Sequence, residues 1–452
     1  MKKFIFTLTL CAAACNSAAF ASTLVTPERA TQMLNKHEQH FDKRIVQVAP
    51  NVYTAIGYHG ATTSMIVGDD GVIMIDSLMG PTSASNALKD FRQYSDKPVK
   101  AIIYTHSHGD HTGGAKAYAG ASDVKVIGPA NMGHHHGTDK VLDQIQKKRE
   151  VRQFGRKLPP HEQSNRGVAP AVTIDHDRGT GFIKPTIEVK GDYKTRIAGI
   201  DIEIYAAAGE TNDAMFIWLP NQKVLFSGDN FYQAFPNLYA IRGTPYRDVR
   251  TWSRSVARMA GFEPMALVGG HTTPILGQQK ATAALKDYSE AIQSVFDQTV
   301  AGMNKGLDPV TIAQSVELPA HLRDKPYLTE FYGTVGHASR AIFAGMFGWF
   351  DGNPTNLNPM SNADTARQFA RLAGGTAKLQ ANLEKAMKAE DYQWALVLTD
   401  HLSYLDGVDQ YKNRDIKIKA LRGMAVRDYN APNRNYYFTY ANELEALQKA
   451  VK

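Results

Sequence analysis

The chain has 452 residues, 43% of them hydrophobic and 21% charged, with a formal net charge of +7. That length allows two or three domains with sizeable cores, and the composition excludes a disordered or low-complexity protein. The basic excess is too small to argue for a nucleic-acid partner and is compatible with a small anionic substrate.

Met1-Lys2-Lys3 gives a positive start, "FIFTLTLCAAAC" an apolar stretch, and Ala19-Phe20-Ala21 a small-x-small cleavage site. This is the pattern of a signal peptide, residues 1–21, cut before Ser22. The apolar stretch falls below the roughly 20 residues needed to span a bilayer. No stable membrane anchor is expected, and the product should be exported, periplasmic or secreted. Both cysteines, Cys11 and Cys15, lie in this segment. The mature chain would therefore have no disulfide, no cysteine nucleophile and no cysteine metal ligand. Loss of Lys2 and Lys3 lowers the formal charge from +7 to +5.

From Val46 to Ile73 short strand-like runs alternate with turns, and Asp70-Gly71 reads as a hairpin between two β-branched runs. "TSASNALKDFRQY" has helical spacing, Val99 to Tyr104 reads as a buried strand, and "VKVIG" (Val124 to Gly128) as another. "DKVLDQIQKKREVRQFGRKLPP" predicts a helix ending near Leu158-Pro159. The strand-rich pattern returns in "IEIYAAAGETNDAMFIWLPNQKVLFSGDN", which suggests a sandwich with helices outside. After residue 280 the chain is rich in Ala and Leu with amphipathic helical periodicity, interrupted by the aromatic, turn-rich "GMFGWFDGNPTNLNP". A domain boundary is expected near residue 300.

The chemistry concentrates in "YTHSHGDHTGG", where a strand ends and the chain must turn. His106 and His108, two apart in a loop, can converge on one ion; Asp110 and His111 point elsewhere and can hold a second. Polar clusters at the end of a buried strand are a usual form of binding site. The run His134 to His136 is a weaker metal signal, because adjacent histidines rarely converge and the run lacks the strand-end context that confirms a motif.

With H-x-H-x-D-H after a buried strand, the chain resembles the metallo-β-lactamase superfamily. The resemblance implies an α/β fold, the αββα sandwich, with a two-metal and usually zinc site. It implies that Asp76, ending "VIMID", braces the loop, and that further ligands come from Glu210, Asp229 in "VLFSGDN" and His271 in "ALVGGHTTP". The expected division gives His106, His108 and Glu210 to one ion and Asp110, His111 and His271 to the other, with Asp229 shared. Nitrogen and oxygen ligands with open positions fit catalytic zinc, and manganese or iron remain compatible.

"NLYAIRGTPYRD", "YGTVGHASRAIFAGMFGWFDGNPTNLNP" and the helical tail further resemble the alkylsulfatases of that superfamily, which also use glutamate at the position of Glu210. This likeness runs from about residue 45 to near the end. It implies a catalytic domain over 22–299, an all-α dimerisation domain over 300–452, a homodimer formed through that region, and two Zn(2+) per chain. The substrate implied is a small anionic alkyl sulfate, cleaved to alcohol and inorganic sulfate. Two departures bear on the substrate. Asp229 stands where the family more often has glutamate. Residue 452 is where the family's sterol-carrier-like domain would begin, so a long-chain detergent is expected to suit this chain less.

A sulfate monoester needs a cationic clamp, and Arg242 is the first candidate because a guanidinium matches paired oxyanions; a surface pair with Asp248 is the alternative. Asn237 and Tyr239 are placed with it as substrate-binding residues. Asp110 is counted as catalytic as well as a ligand. The poor alkoxide leaving group calls for a proton donor, for which Tyr246 and Tyr239 are candidates. Two other readings compete: a hydrolase of the same fold acting on a lactone, thioester or β-lactam, and a non-catalytic dimeric binding protein.

Overall fold

A computed structural model describes residues 23–450 except 122, 131, 133–141, 174 and 175. The expected signal segment with Cys11 and Cys15, and the run His134 to His136, lie outside the described residues. Helix α1 (Pro27–Glu38) begins at the Thr26 cap. There follow β1 (Arg44–Ala49), β2 (Val52–Ile56), β3 (Thr63–Val67), β4 (Val72–Ile75), α2 (Pro81–Phe91) and β5 (Val99–Ile103). Next come two short helices, α3 (Gly109–Thr112) and α4 (Ala115–Ala119), then β6 (Lys125–Pro129), α5 (Asp143–Gln153) and β7 (Ile187–Val189). These seven strands form one sheet in sequence order, antiparallel from β1 to β4 and parallel from β4 to β7.

The second sheet contains β8 (Tyr193–Ile197), β9 (Ile200–Ala206), β10 (Met215–Leu219), β11 (Val224–Gly228), β12 (Ala266–Gly269) and β13 (Ile275–Leu276). Its order is β13-β12-β11-β10-β9-β8. Helix α6 (Val249–Ala260) is the crossover that lets β12 run parallel to β11.

Side-chain alternation assigns each face. Ile73 and Ile75 of β4 point between the sheets, where they meet Ile204, Ile217 and Phe226. Val72 and Met74 point outward onto Phe91 of α2 and Tyr118 of α4. Trp218 and Leu225 point outward from the second sheet onto Trp252 of α6 and Tyr288 of α7 (Gln278–Asn304). Both faces of both sheets are covered, which is why runs such as "VIMI" and "MFIWL" are apolar throughout rather than alternating. The architecture is an αββα sandwich with a helical region after it, as the sequence led us to expect.

Two local expectations need correction. The α5 helix stops at Gln153, five residues before Leu158, because Gly155 turns the chain with φ +59°. The boundary near residue 300 falls inside α7, a continuous 27-residue helix. The next helices, α8 (Pro309–Ser315) and α9 (Val335–Phe347), place Ile312, Ala338 and Ile342 in the same core as α6 and α7.

A separate apolar core follows, formed by α10 (Asn362–Leu372), α11 (Thr376–Lys388), α12 (Tyr392–Leu402), α13 (Gln410–Arg427) and α14 (Ala431–Ala450). The long periodic stretch is thus three helices, broken at the positive-φ Gly374-Gly375 and at Glu390. Arg152 of α5 ties α14 to the sandwich by chelating Glu443 and lying over Tyr440. Among the described residues, no helix is long and apolar enough to cross a membrane.

The segment before α1 returns to this junction: Val25 N–H donates to the Arg427 carbonyl, and Leu24 bridges Asp428. Asp428 is 1% exposed. Burial pushes its carboxyl up from 3.8 to about 6, against hydrogen bonds from Thr23, Asn430 and Asn433. The folded state therefore binds this proton more tightly than the unfolded chain. Its contribution to stability is complete below pH 3.8 and is lost as pH rises through about 6. Asp428→Asn, which keeps an acceptor for the Asn430 N–H, is expected to stabilise the protein at pH 8 by up to about 3 kcal/mol and much less at pH 4. Urea unfolding at the two pH values measures this; equal effects at both would refute the buried-acid account.

Candidate metal centre

Six of the seven predicted ligands come together in two groups, at the carboxyl ends of strands from both sheets, where α/β sheets place their sites. His106 and His108 follow β5, Asp110 and His111 lie in α3, Asp229 follows β11 and His271 follows β12. Glu210 lies in the turn between β9 and β10. Glycine makes one approach possible: a Cβ at Gly270 would sit 1.9 Å from Asp229 Oδ1.

Asp229 is the hub. Its Oδ2 lies 3.6 Å from His106 Nε2, 4.0 Å from His108 Nδ1 and 3.2 Å from His271 Nε2. Its Oδ1 lies 3.1 Å from His111 Nε2. Asp110 Oδ2 is 3.6 Å from His271 Nε2 and 3.9 Å from His111 Nε2. Two groups result, His106-His108-Asp229 and Asp110-His111-His271, and in each the ligand atoms lie within 4.8 Å of one another.

The imidazoles are oriented from behind. His271 Nδ1–H donates to the Gly60 carbonyl at 2.9 Å, and His111 Nδ1–H to Asp76 Oδ2 at 2.7 Å. His106 Nδ1–H donates to Thr105 Oγ1, which itself donates to Asp76 Oδ2. In all three rings Nε2 is directed at the centre, the arrangement that second-sphere partners impose on metal-binding histidines. Asp76 reaches them from a left-handed backbone position, φ 55°, directly after β4.

Electrostatics gives the same picture. Burial would raise the Asp229 carboxyl, but His271, His111 and His106 hold it well below the usual range. Burial would lower His111, but Asp229, Asp76 and Asp110 hold it well above its usual value. His271 rises to about 9 for the same reason, burial being outweighed by Asp229 and Asp110. Burial itself lowers His106, with His111 adding to it. Four buried atoms, His106 Nε2, His111 Nε2, Glu210 Oε2 and Asp229 Oδ1, have no hydrogen-bond partner. Unpartnered nitrogen and carboxylate oxygen converging on one volume fit a bound divalent cation, and no sulfur ligand is required.

Glu210 departs from its expected place. The third member of the His106-His108 group is Asp229, while Glu210 gives Oε1 to Arg247 Nη1 at 2.7 Å. Burial raises the Glu210 carboxyl and Arg247 counters this. Arg247 also donates to the Asn237 carbonyl at 2.5 Å. In "IRGTPYRD" residue types alone point to Arg242, and burial, which the sequence does not display, is what distinguishes Arg247.

A cleft of about 240 Å³ opens over the cluster, walled by Met79, Phe154, Arg242 and Tyr332 among others. A larger cavity of about 780 Å³, between α1 and residues 317–335, contains none of these ligands. Arg242 does face the cleft, with its guanidinium 5.8 Å from the Phe154 ring. Asp248 instead caps α6. Asn237 is buried with Nδ2 unpartnered, and Tyr239 is half-buried; neither lines the cleft. Tyr246 does not line it either, because its ring packs against Gly345 of α9. The phenol on the wall is Tyr332, which sequence reading missed because it lies far from the other motifs. Its hydroxyl, pushed up to about 12 chiefly by burial, keeps its proton at neutral pH.

The αββα sandwich with a buried His/Asp cluster at its strand ends defines a metallo-β-lactamase-fold hydrolase. Residues 57–271 match the family model "Metallo-beta-lactamase superfamily", and residues 308–446 match "Alkyl sulfatase dimerisation". The chain is 34% identical to a linear primary-alkylsulfatase of Pseudomonas sp. (strain ATCC 19151), over 84% of this chain and 73% of that protein. It is 29% identical to the alkyl/aryl-sulfatase BDS1 of Saccharomyces cerevisiae, over 88% of this chain and 64% of that protein. The solved structure of the stereoselective inverting sec-alkylsulfatase Pisa1 from Pseudomonas sp. superposes with a TM-score of 0.83 at 27% identity, over 95% of this chain and 69% of that chain. The chain belongs to the alkylsulfatase family.

Replacing Arg247 by leucine would leave the Glu210 carboxylate buried without its cation, a loss of about 3–5 kcal/mol. Arg247→Lys is expected to cost less. Chemical denaturation checks both; a loss below about 1 kcal/mol for Arg247→Leu would mean that Glu210 does not depend on it.

Proposed function

We propose that the chain hydrolyses alkyl sulfate monoesters to alcohol and sulfate with two zinc ions. The observation that carries this reading is Asp229 standing between two His/Asp groups beneath a cleft that Arg242 enters. The names of its relatives, a primary alkylsulfatase and an alkyl/aryl-sulfatase, support the ester class.

His106, His108 and Asp229 would hold one ion and Asp110, His111 and His271 the other, with Glu210 in the lining of the same cleft. When bound, such ions act as Lewis acids and bring the pKa of water toward neutrality. The chain's own residues do the rest. Arg242 neutralises sulfate oxygens and orients the ester, and its fixed fork suits paired oxyanions. Asp110, on the cleft side of its group, accepts a proton from the attacking water. Tyr332 holds the hydroxyl that returns a proton to the alkoxide as the ester bond breaks. Met79 and Phe154 keep bulk water from the reacting centre.

The functional form we propose is an exported homodimer. The amino-terminal pattern supports export, and mass spectrometry of the secreted protein should find Ser22 first. The match to the dimerisation family supports the pair. So do the end of α9 and the turn after it, where Met346, Phe347 and Trp349 are exposed rather than packed in their own chain, Phe347 by 76% and Trp349 by 73%. Aromatic residues and Met are enriched in interface cores. Light scattering should give twice the chain mass; a monomer at micromolar concentration would overturn the dimer.

Elemental analysis should find about two transition-metal ions per chain, since the ligand set exceeds what one zinc uses, together with hydrolysis of a chromogenic sulfate ester. His106→Ala and Asp110→Ala should lose metal and activity and keep a folded circular dichroism spectrum. A metal-replete protein inert to sulfate esters but active on lactones or thioesters would overturn the substrate, and one that binds no metal would overturn the mechanism.

A further inference from the structure

The phenol on the cleft wall has a buried neighbour that decides which way its hydrogen points. Gln153, the last residue of α5, is 1% exposed and lies between Arg242 and Tyr332. Its Oε1 accepts the backbone N–H of Arg242 at 2.9 Å, and its Nε2 lies 3.5 Å from the Tyr332 hydroxyl. Chemistry fixes which amide atom is which. A backbone N–H can only donate, so the atom facing Arg242 is the oxygen, and the atom left for Tyr332 is the NH2 group, which can only donate. The phenol oxygen therefore accepts from Gln153, and its own hydrogen is directed elsewhere. Among the described residues the Tyr332 hydroxyl has no other hydrogen-bond partner, and Tyr332 lines the cleft.

The rest of the packing leaves that hydrogen as the one freedom Tyr332 keeps. Asn430, between α13 and α14, donates from Nδ2 to the Tyr332 carbonyl at 2.9 Å and to the Glu330 carbonyl at 2.8 Å. The Tyr332 ring meets Tyr232 edge to face at 6.0 Å, and Tyr232 meets His271 of the metal group in the same way at 5.9 Å. Gln153 is itself held from behind, because Asn435 of α14, 2% exposed, donates to its carbonyl at 3.2 Å. Backbone and ring being fixed, only rotation about the phenol C–O bond remains, and an N–H on one side of the oxygen turns the O–H to the other. Catalytic hydrogen bonds are often long before substrate binds and tighten with it, which suits the 3.5 Å contact.

We infer that Gln153 is a positioning residue for the hydrolysis: by donating to the Tyr332 oxygen it aims the phenol hydrogen at the leaving oxygen, and by accepting from Arg242 it sets the sulfate clamp at a fixed distance from that hydrogen. This rests on the sulfatase reading above, with Tyr332 as the proton donor. As the S–O bond breaks, the leaving oxygen takes the Tyr332 hydrogen and departs as alcohol. The phenolate left behind is stabilised by the Gln153 N–H, since a hydrogen bond to the charged form favours it. The proton that Asp110 took from the attacking water then restores the phenol through solvent.

The test compares an alkyl sulfate, whose alkoxide needs a proton, with 4-nitrophenyl sulfate, whose phenolate leaves readily without one. Gln153→Glu keeps the size and the acceptor for Arg242, but when ionised it offers Tyr332 an acceptor in place of a donor and turns the hydrogen away from the cleft. Its kcat on the alkyl ester is expected to fall by about tenfold or more relative to the nitrophenyl ester, with little change in KM. The ratio of the two rates should recover as pH is lowered, because the protonated carboxyl can donate again. Gln153→Met, uncharged and of similar length, should shift the ratio in the same direction, so the comparison survives if the glutamate variant does not fold. In a Tyr332→Phe background, itself slowed more on the alkyl ester than on the nitrophenyl ester, neither substitution should shift the ratio further. Gln153 variants that leave the ratio unchanged, that act only through KM, or that shift it equally without the phenol would overturn the inference. A Tyr332→Phe enzyme with an unaltered ratio would refute the proton-donor role, and a protein that cleaves no sulfate ester would refute the sulfatase reading. Both outcomes are distinct from a working sulfatase indifferent to Gln153.

Discussion

Asp229 is the constraint on which the site depends. A carboxylate 5% exposed is affordable only beside positive charge, and it lies within about a contact distance of four imidazoles. Three of those imidazoles, His111, His106 and His271, have their outer nitrogens occupied by Asp76, Thr105 and the Gly60 carbonyl. The result is a set of groups whose shifted protonation is mutual, so a cation entering the centre would replace protons rather than disturb neutral packing.

That arrangement requires two sheets to end at one place. The metal-facing residues come from loops after β5, β9, β11 and β12, and these strands meet through the apolar layer of Ile75, Ile103, Ile204, Ile217 and Val268. Packing of that layer sets the distance between His106 on one sheet and Asp229 on the other. Gly270, which lets the backbone pass beside the Asp229 carboxylate, shows how little slack remains.

The helical region is joined to the sandwich at more than one point. Its first helices complete the apolar core over the second sheet. Its last helix is fastened to α5 by Arg152 and Glu443, just before Phe154 and Arg156 of the cleft wall. The backbone of Arg242 is fixed by Gln153 at the end of that same helix. Cleft shape therefore depends on a helix that is itself braced by the tail.

Much of the centre was legible in the sequence because its determinants are local. "HSHGDH" after an apolar run, and Asp229 and His271 each after a strand, carry their chemistry and position within a few residues. The strands announced themselves by β-branched runs, and the Asp70-Gly71 turn by its residue types. The partition of ligands did not follow from spacing. Glu210 turns to Arg247, and Tyr246 turns away to Gly345, because each obeys a neighbour distant in the chain. The four cleft arginines are spread from 156 to 242, and Tyr332 lies further on still. Residue types and short-range order determined that this chain would build a His/Asp metal site at the end of a sheet. Only tertiary packing decided which acid faces which cation, since that choice is set by burial and by contacts between segments that sequence separation conceals.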